Sequence, residues 1–151
     1  MGLLIRKAIH SDVPEIVRLL QDDDLGVSRE KYHESIPPSY YSAFSVIDRD
    51  KNNYLVVAEI DGKVVGTMQL TFITYLTYQG GKRAQIEGVR VDETVRGKGI
   101  GKALFEWAIE KSKAEGCHLV QLTTDKKRKD ALEFYRSIGF VASHEGMKLH
   151  L

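Results

Sequence analysis

The spacing of apolar residues changes along the chain, and each change predicts a different secondary structure. Over residues 13–20 apolar side chains recur every three or four positions, which predicts an amphipathic helix after an opening strand at residues 3–8. A period of two begins at residue 55 and is interrupted by Asp61-Gly62, the kind of pair that closes a tight hairpin. Two antiparallel strands are predicted there, and a proline pair divides residues 28–47 into two shorter helices.

A fourth strand is predicted over residues 83–91, and its alternation of apolar residues changes phase at Gly88. An inserted residue, a β-bulge, produces such a change and leaves backbone groups without ladder partners. The free amides and carbonyls around Val89 and Val91 are therefore candidates for binding an amide-bearing ligand, as a neighbouring strand would.

The C-terminal half predicts alternating helices and strands. A long helix that ends near Gly116 is predicted from a core-facing stripe of apolar residues with helical spacing: Ile100, Ala103, Leu104, Trp107 and Ala108. The elements predicted after it are a strand at 117–123, a helix at 131–138 and a terminal strand pair at 140–142 and 147–151. We therefore predict one α/β domain over residues 1–151, with a mixed, mostly antiparallel sheet of six to seven strands and about four helices.

The segment between the fourth strand and the long helix reads Arg-Gly-Lys-Gly-Ile-Gly, residues 96–101. Glycine at every second position permits backbone conformations that side chains forbid, and the free N–H groups at a helix start favour phosphate oxygens. The spacing matches neither the Walker loop nor the Gly-x-Gly-x-x-Gly dinucleotide fingerprint. The segment predicts a different anion-binding loop, and its alternative is an ordinary turn at a helix start.

Composition limits the classes of function. The 151 residues carry a formal net charge of +1, which is too balanced for an electrostatic nucleic-acid binder. A single cysteine, Cys117, and the lack of any apolar stretch near the roughly 20 residues of a spanning helix lead us to expect a soluble, cytoplasmic protein without membrane contact. The five histidines have no metal-ligand spacing, so no metal is expected.

Acidic and aromatic residues in the N-terminal third allow two interpretations. They are either a solvated helix end with packing aromatics, or a wall for a cationic acceptor. The residues concerned are Asp22, Asp23, Asp24, Tyr32, Tyr40 and Tyr41.

Two motifs in order resemble the GNAT superfamily of N-acetyltransferases. Residues 96–101 are similar to the loop that holds the pyrophosphate of acetyl-coenzyme A in that superfamily, and residues 131–140, Ala-Leu-Glu-Phe-Tyr-Arg-Ser-Ile-Gly-Phe, resemble its second signature. The resemblance implies a sheet splayed between strands 4 and 5. It also implies transfer of acetyl from acetyl-coenzyme A to a primary amine of a small molecule or peptide.

The resemblance also implies roles for individual residues. Val89, Arg90 and Val91 would flank the pantetheine and thioester, with the Val91 N–H facing the developing oxyanion. Where the superfamily often has Asn, this sequence has Arg128, and either Arg128 or Lys129 is a candidate donor to a coenzyme phosphate. The residues implied around the pyrophosphate are Arg96, Gly97, Lys98, Gly99, Ile100, Gly101 and Lys102.

Amine acetylation needs a base and an acid, because the ammonium must lose a proton and the leaving thiolate should regain one. Glu87, beside the bulge, is the candidate base, and its alternative is a surface carboxylate paired with a strand neighbour. Tyr135 is the candidate acid, and its alternative is a core tyrosine. The alternative for the whole protein is a non-catalytic acyl-coenzyme A sensor or regulatory module. Pairing of C-terminal edge strands into a homodimer is left open.

Overall fold

The structure is a computed structural model that describes residues 2–22, 26–30 and 35–151. The chain divides into two compact units, residues 1–121 and residues 122–151. The first unit contains the first four strands and most of the helices, and the second contains the helix of the second motif. The single domain over residues 1–151 stays a prediction.

Five strands form one sheet in the described part of the chain, in the order β1-β2-β3-β4-β5. The strands are β1 Leu3–Lys7, β2 Asn53–Ile60, β3 Lys63–Thr74, β4 Lys82–Val91 and β5 Leu119–Leu122. Each of the first four strands pairs antiparallel with the next strand along the chain, up to β4, whereas β4 and β5 run parallel. A parallel pair needs a crossover connection, and a helix supplies it here. The mixed, mostly antiparallel sheet is confirmed, and its splaying between strands 4 and 5 stays a prediction.

The described residues form four main helices, as predicted. They are α1 Val13–Gln21, α3 Pro38–Arg49, α5 Ile100–Ala114 and α6 Lys129–Ser137, with the short α2 Gly26–Arg29 and the turn-like α4 Thr77–Gly80 between them. Within the same ranges, no helix is long and apolar enough to cross a membrane.

The helices of the first unit cover both faces of the sheet. On one face α1 and α3 form a core with Val57, to which Leu19 and Phe44 contribute buried side chains. On the other face α5 packs so closely that Leu104 Cδ1 lies 3.4 Å from where a Cβ of Gly66 would be. Because alternate strand residues face opposite sides, the polar side chains that alternate with the buried ones in β3 and β4 lie on the α1 face.

The terminal strand pair predicted at residues 140–142 and 147–151 is wrong: no strand is assigned there, so the sheet of the described residues has five strands rather than six to seven. The apolar side chains that suggested it are exposed, with 82% of Val141, 93% of Met147 and 87% of Leu149 accessible. A two-stranded hairpin is marginal in water unless it buries one face. Alternation of apolar residues by itself therefore does not fix a strand.

Candidate active site

The bulge predicted in β4 is confirmed at Gly88. Thr67 of β3 faces Arg90, and Gln69 faces Glu87, so three steps along β4 match two steps along β3. Gly88 adopts φ +61°, a left-handed conformation that side chains disfavour. The bulge bends the strand beside Glu87 and interrupts its ladder, which is the backbone condition for binding an extended ligand.

The glycine loop presents an exposed backbone at the start of α5. Gly97 and Gly99 have φ values of +79° and +80°. The first hydrogen bond of the helix runs from the Ala103 N–H to the Gly99 carbonyl, at 3.0 Å. The N–H groups before Ala103 in the first turn of α5 therefore have no helical carbonyl to which they could donate. These N–H groups and the positive end of the helix dipole make the loop suitable for an anion.

Cationic side chains surround this loop. Arg96 donates from Nε to the Val91 carbonyl at 3.2 Å, which ties the loop to the end of β4. Lys98 is exposed, and the Nζ of Lys102 lies 3.9 Å from Glu106 Oε1 with both side chains 65% exposed. Arg90 donates from Nη1 to the Val89 carbonyl at 2.8 Å. In the first unit, the residues predicted for the coenzyme therefore follow one another along one continuous strand, loop and helix.

Asp92 supports this loop, and the sequence reasoning missed it. Its Oδ1 accepts from the Thr94 hydroxyl at 2.6 Å and the Thr94 N–H at 2.9 Å, and its Oδ2 accepts from Arg18 Nη2 at 2.7 Å. The residue is 4% exposed and links α1 to the turn between β4 and the glycine loop. An Asp-x-Thr sequence directly after a strand is the signal that predicts such a turn.

We expect Asp92→Asn to lower the free energy of unfolding near neutral pH by roughly 2 kcal/mol, because bonds to a charged carboxylate are replaced by bonds to an amide. The Thr94 and Arg18 bonds hold the pKa of Asp92 down at about 2. A carboxyl with a lowered folded pKa stabilises the protein above its unfolded pKa, so this contribution is lost as the pH falls from about 4 to about 2. Urea unfolding at pH 7 and at pH 2.5 checks this: an unchanged difference between wild type and variant at the two values contradicts it.

Glu87 lies on β4 with an exposed side chain. Its Oε1 accepts a hydrogen bond from Gln85 Nε2 at 3.2 Å. The carboxylate is accessible from solvent, as a base that receives a proton from an incoming amine must be.

Tyr135 and Arg128 belong to the second unit. Arg128 precedes α6, and Tyr135 lies half-buried on it, with its ring centroid 6.2 Å from that of Phe140 and 5.7 Å from that of the exposed Phe134. The tyrosine rather than the phenylalanine is therefore the more sheltered of the neighbouring pair. Their roles toward Glu87 and the coenzyme stay predictions.

The proposed acceptor wall is only partly described. Tyr40 and Tyr41 pack against the core, and Tyr41 stacks on His10 at 4.6 Å, which accounts for these two aromatics by packing. Asp22 follows the last residue of α1 and lines an open cleft of about 630 Å³ whose other charged residues are of both signs. The remaining residues of that prediction, Asp23, Asp24 and Tyr32, lie outside the described residues.

The structure offers no sign of an activated thiol at Cys117. Burial raises the pKa of the Cys117 thiol above its ordinary value, and the neighbouring Lys82 only partly offsets this. Among the described residues, no cluster of three or more His, Cys, Asp or Glu side chains is arranged to hold a metal ion.

Comparison with known proteins identifies the class. Residues 14–140 match the acetyltransferase (GNAT) family, and the chain belongs to that family. That family comprises acetyl-coenzyme A-dependent N-acetyltransferases.

Three relatives illustrate the range of the similarity. A glucosamine 6-phosphate N-acetyltransferase of Trypanosoma brucei brucei is 31% identical over 142 residues, 89% of this chain and 95% of that protein. An uncharacterized N-acetyltransferase of Methanocaldococcus jannaschii is 29% identical over 136 residues, and the match covers 90% of this chain but only 59% of that protein. The crystal structure of a transcriptional regulator from Bacillus halodurans C-125 is 53% identical, with a TM-score of 0.97 over 99% of this chain and 100% of that chain.

Proposed function

We propose that this protein transfers the acetyl group of acetyl-coenzyme A directly to a primary amine, with Glu87 as the base. One observation carries the proposal: a bulged strand that bears an exposed carboxylate leads within about ten residues into a glycine loop at a helix start. The bulge supplies unpaired backbone groups for a pantetheine chain, and the loop supplies amides for a pyrophosphate. Both features are needed to hold one molecule of acetyl-coenzyme A.

The reaction follows from the chemistry of the groups. The neutral amine nitrogen forms a bond to the thioester carbonyl carbon, and the carbon–sulfur bond then breaks. Glu87 receives the amine proton directly or through a water, and Tyr135 gives its phenolic proton to the thiolate and later regains one from solvent. The Val91 N–H donates to the oxyanion while the carbon is tetrahedral. The products are the acetylated amine and the free thiol of coenzyme A.

The coenzyme would contact Val89, Arg90 and Val91 along β4 and the backbone amides of the glycine loop at its pyrophosphate. Arg128 is a further donor to a coenzyme phosphate in this proposal. The mechanism needs no metal, because a thioester is already activated toward an amine and the oxyanion can be held by a backbone donor.

The acceptor is a small-molecule or peptide amine. The Trypanosoma relative is named for a phosphorylated amino sugar, which supports including such amines among the compounds tested. Thiol release from acetyl-coenzyme A is to be measured across amino sugars and their phosphates, polyamines, amino acids and lysine-bearing or free N-terminal peptides, with a control lacking acceptor. Acceptor-dependent release supports the proposal, and release that no amine accelerates contradicts it.

A second candidate, a non-catalytic acyl-coenzyme A sensor, is favoured by the name of the Bacillus relative, a transcriptional regulator. A sensor would bind the coenzyme without acceptor-dependent thiol release, and replacing Glu87 would change nothing that can be measured except stability. Calorimetric titration with coenzyme A alongside the thiol assay separates the two functions. Salt-dependent binding to DNA would further favour regulation, against our expectation of no nucleic-acid partner.

We expect Tyr135→Phe to lower kcat by roughly tenfold, because the thiolate is a fairly good leaving group and only partly depends on protonation. The ring and its packing on Phe140 are kept, so the KM for acetyl-coenzyme A should change little. Tyr54→Phe serves as the control, since it removes a phenol hydroxyl from β2, where the Tyr54 ring packs on Phe72 with 5.7 Å between the centroids. Unchanged kcat in Tyr135→Phe would remove Tyr135 from the mechanism.

A homodimer formed through the C-terminal segment is also proposed. The exposed, alternating Val141, Met147, Leu149 and Leu151 support it, because contact with a second copy would bury them. Sedimentation equilibrium that returns a mass of 17.1 kDa would overturn it.

A further inference from the structure

Polar side chains of neighbouring strands meet on one face of the sheet. Thr71 of β3 faces Gln85 of β4, and Gln69 of β3 faces Glu87. Gln121 of β5 reaches the same group, since its Nε2 donates to Gln85 Oε1 at 2.9 Å. Two strands, β4 and β5, thus bring two carboxamides, Gln121 and Gln85, into line with the candidate base.

These groups form a chain of hydrogen bonds that all point one way. Arg83 Nη1 donates to Gln121 Oε1 at 3.4 Å, Gln121 Nε2 donates to Gln85 Oε1, and Gln85 Nε2 donates to Glu87 Oε1 at 3.2 Å. The guanidinium at its start is held against two rings, 4.8 Å from the centroid of Tyr75 and 5.2 Å from that of Tyr78. The chain begins at a fixed cation and ends at the carboxylate, so the direction of each amide favours that of the next.

We propose that Gln85 is a positioning residue that orients the Glu87 carboxylate for the acceptor amine, and that Gln121 fixes the Gln85 carboxamide. This inference rests on the proposed role of Glu87 as the base.

The pattern of bonds at Glu87 suits this role. Gln85 occupies Oε1, whereas no described residue donates a hydrogen bond to Oε2, so the second oxygen stays open to receive the amine proton. A neutral amide holds the carboxylate without the ion pair that would compete for its charge. Glu87 is otherwise an exposed, flexible side chain, and a base that samples several rotamers spends less time in the reactive one.

Substitutions that keep the size of the side chain test this series of hydrogen bonds without opening cavities. We expect Gln85→Met to lower kcat about tenfold with the KM for acetyl-coenzyme A unchanged within about twofold, since only the orientation of the base is lost. Gln121→Met should lower kcat less, and the double variant should be no slower than Gln85→Met. Thr71→Val is the matched control. Thr71 faces Gln85 across the strands, but its hydroxyl donates to Asn53, which is not part of the hydrogen-bond series that ends at Glu87. This variant should therefore keep wild-type kcat.

The decisive comparison repeats Gln85→Met in a Glu87→Gln background. If Gln85 acts through Glu87, the residual kcat should change by less than about twofold there. An equal loss of kcat with and without Glu87, or a kcat of Gln85→Met equal to wild type, would overturn the inference while leaving the base assignment intact. If Glu87→Gln itself keeps full activity, the proposed function of Glu87 fails instead.

Discussion

Replacing Glu87 by Gln is expected to lower kcat by roughly 10²–10⁴-fold, the range that a positioned general base contributes. The amide keeps the length of the side chain and can still bond Gln85, but it does not accept a proton at neutral pH. The KM for acetyl-coenzyme A and the Kd for coenzyme A should stay near wild type, because the loop and the bulge are untouched. Steady-state thiol release at saturating acceptor, with calorimetric titration of coenzyme A, measures both quantities.

Glu110→Gln is the control for this prediction. Its carboxylate is also exposed, and it pairs with Lys113 on the outer side of α5 at 3.0 Å. Loss of that surface pair should change stability by less than about 1 kcal/mol and leave kcat unaltered. A Glu87→Gln enzyme as fast as wild type would leave Glu87 with only a surface role. A rise in acceptor KM without a change in kcat would assign it to amine binding.

The second large effect is expected from Gly99→Ala, which should weaken coenzyme A binding by about tenfold or more. Gly99 has φ +80°, and a left-handed conformation costs a side-chain-bearing residue roughly 1–2 kcal/mol. Apart from its two chain neighbours, no described residue has an atom within 4 Å of the added Cβ, so the effect comes from the backbone and from the ligand side of the loop. If the loop relaxes to relieve the strain, its amides no longer converge on one anion.

Gly116→Ala is the matched control because it carries the same backbone strain elsewhere. Gly116 has φ +76° and follows α5 at its other end. A Cβ there would likewise meet no atom of a described residue within 4 Å apart from its two chain neighbours. Both variants should therefore lose similar stability in urea unfolding, but only Gly99→Ala should lose affinity for coenzyme A in calorimetric titration. Equal affinity in the two variants would exclude the loop as the pyrophosphate site.

The order of elements and the two backbone features of the site could be predicted from the sequence. The phase change at Gly88 predicted the bulge because strand side chains alternate strictly, so one added residue must invert the pattern. The glycines at 97 and 99 predicted positive φ values because few other residues tolerate them. Both are local properties of the backbone, and local rules are sufficient for them.

The apolar stripe of α5 was predicted less well. The sequence favoured Trp107 for the core, but the structure buries Phe105, at 1% exposure, and leaves Trp107 half-buried. Phe105 follows the buried Leu104, and Trp107 precedes the buried Ala108. Because successive helical residues are rotated by about 100°, each of the two rings lies at one edge of the buried stripe, and periodicity permits either of them to enter the core. The position of the sheet beneath the helix decides between them.

The mostly antiparallel sheet, the bulge and the glycine loop could be predicted from the sequence, because turn chemistry and periodicity act over a few residues. The family could be predicted because two short motifs, at residues 96–101 and 131–140, resemble its signatures. The three-dimensional structure was needed to find that Asp92 joins α1 to the loop, that Gln121 and Gln85 are linked by hydrogen bonds to Glu87, and that residues 140–151 form no strand. The hydrogen bonds join residues up to 74 positions apart in the sequence. A strand, in turn, forms only where its apolar face is buried by the rest of the fold. Hydrogen bonds between side chains that are distant in the sequence cannot be predicted from the spacing of apolar and polar residues. A glutamine on a polar strand face occupies the same position in that spacing whether or not its amide has a hydrogen-bond partner.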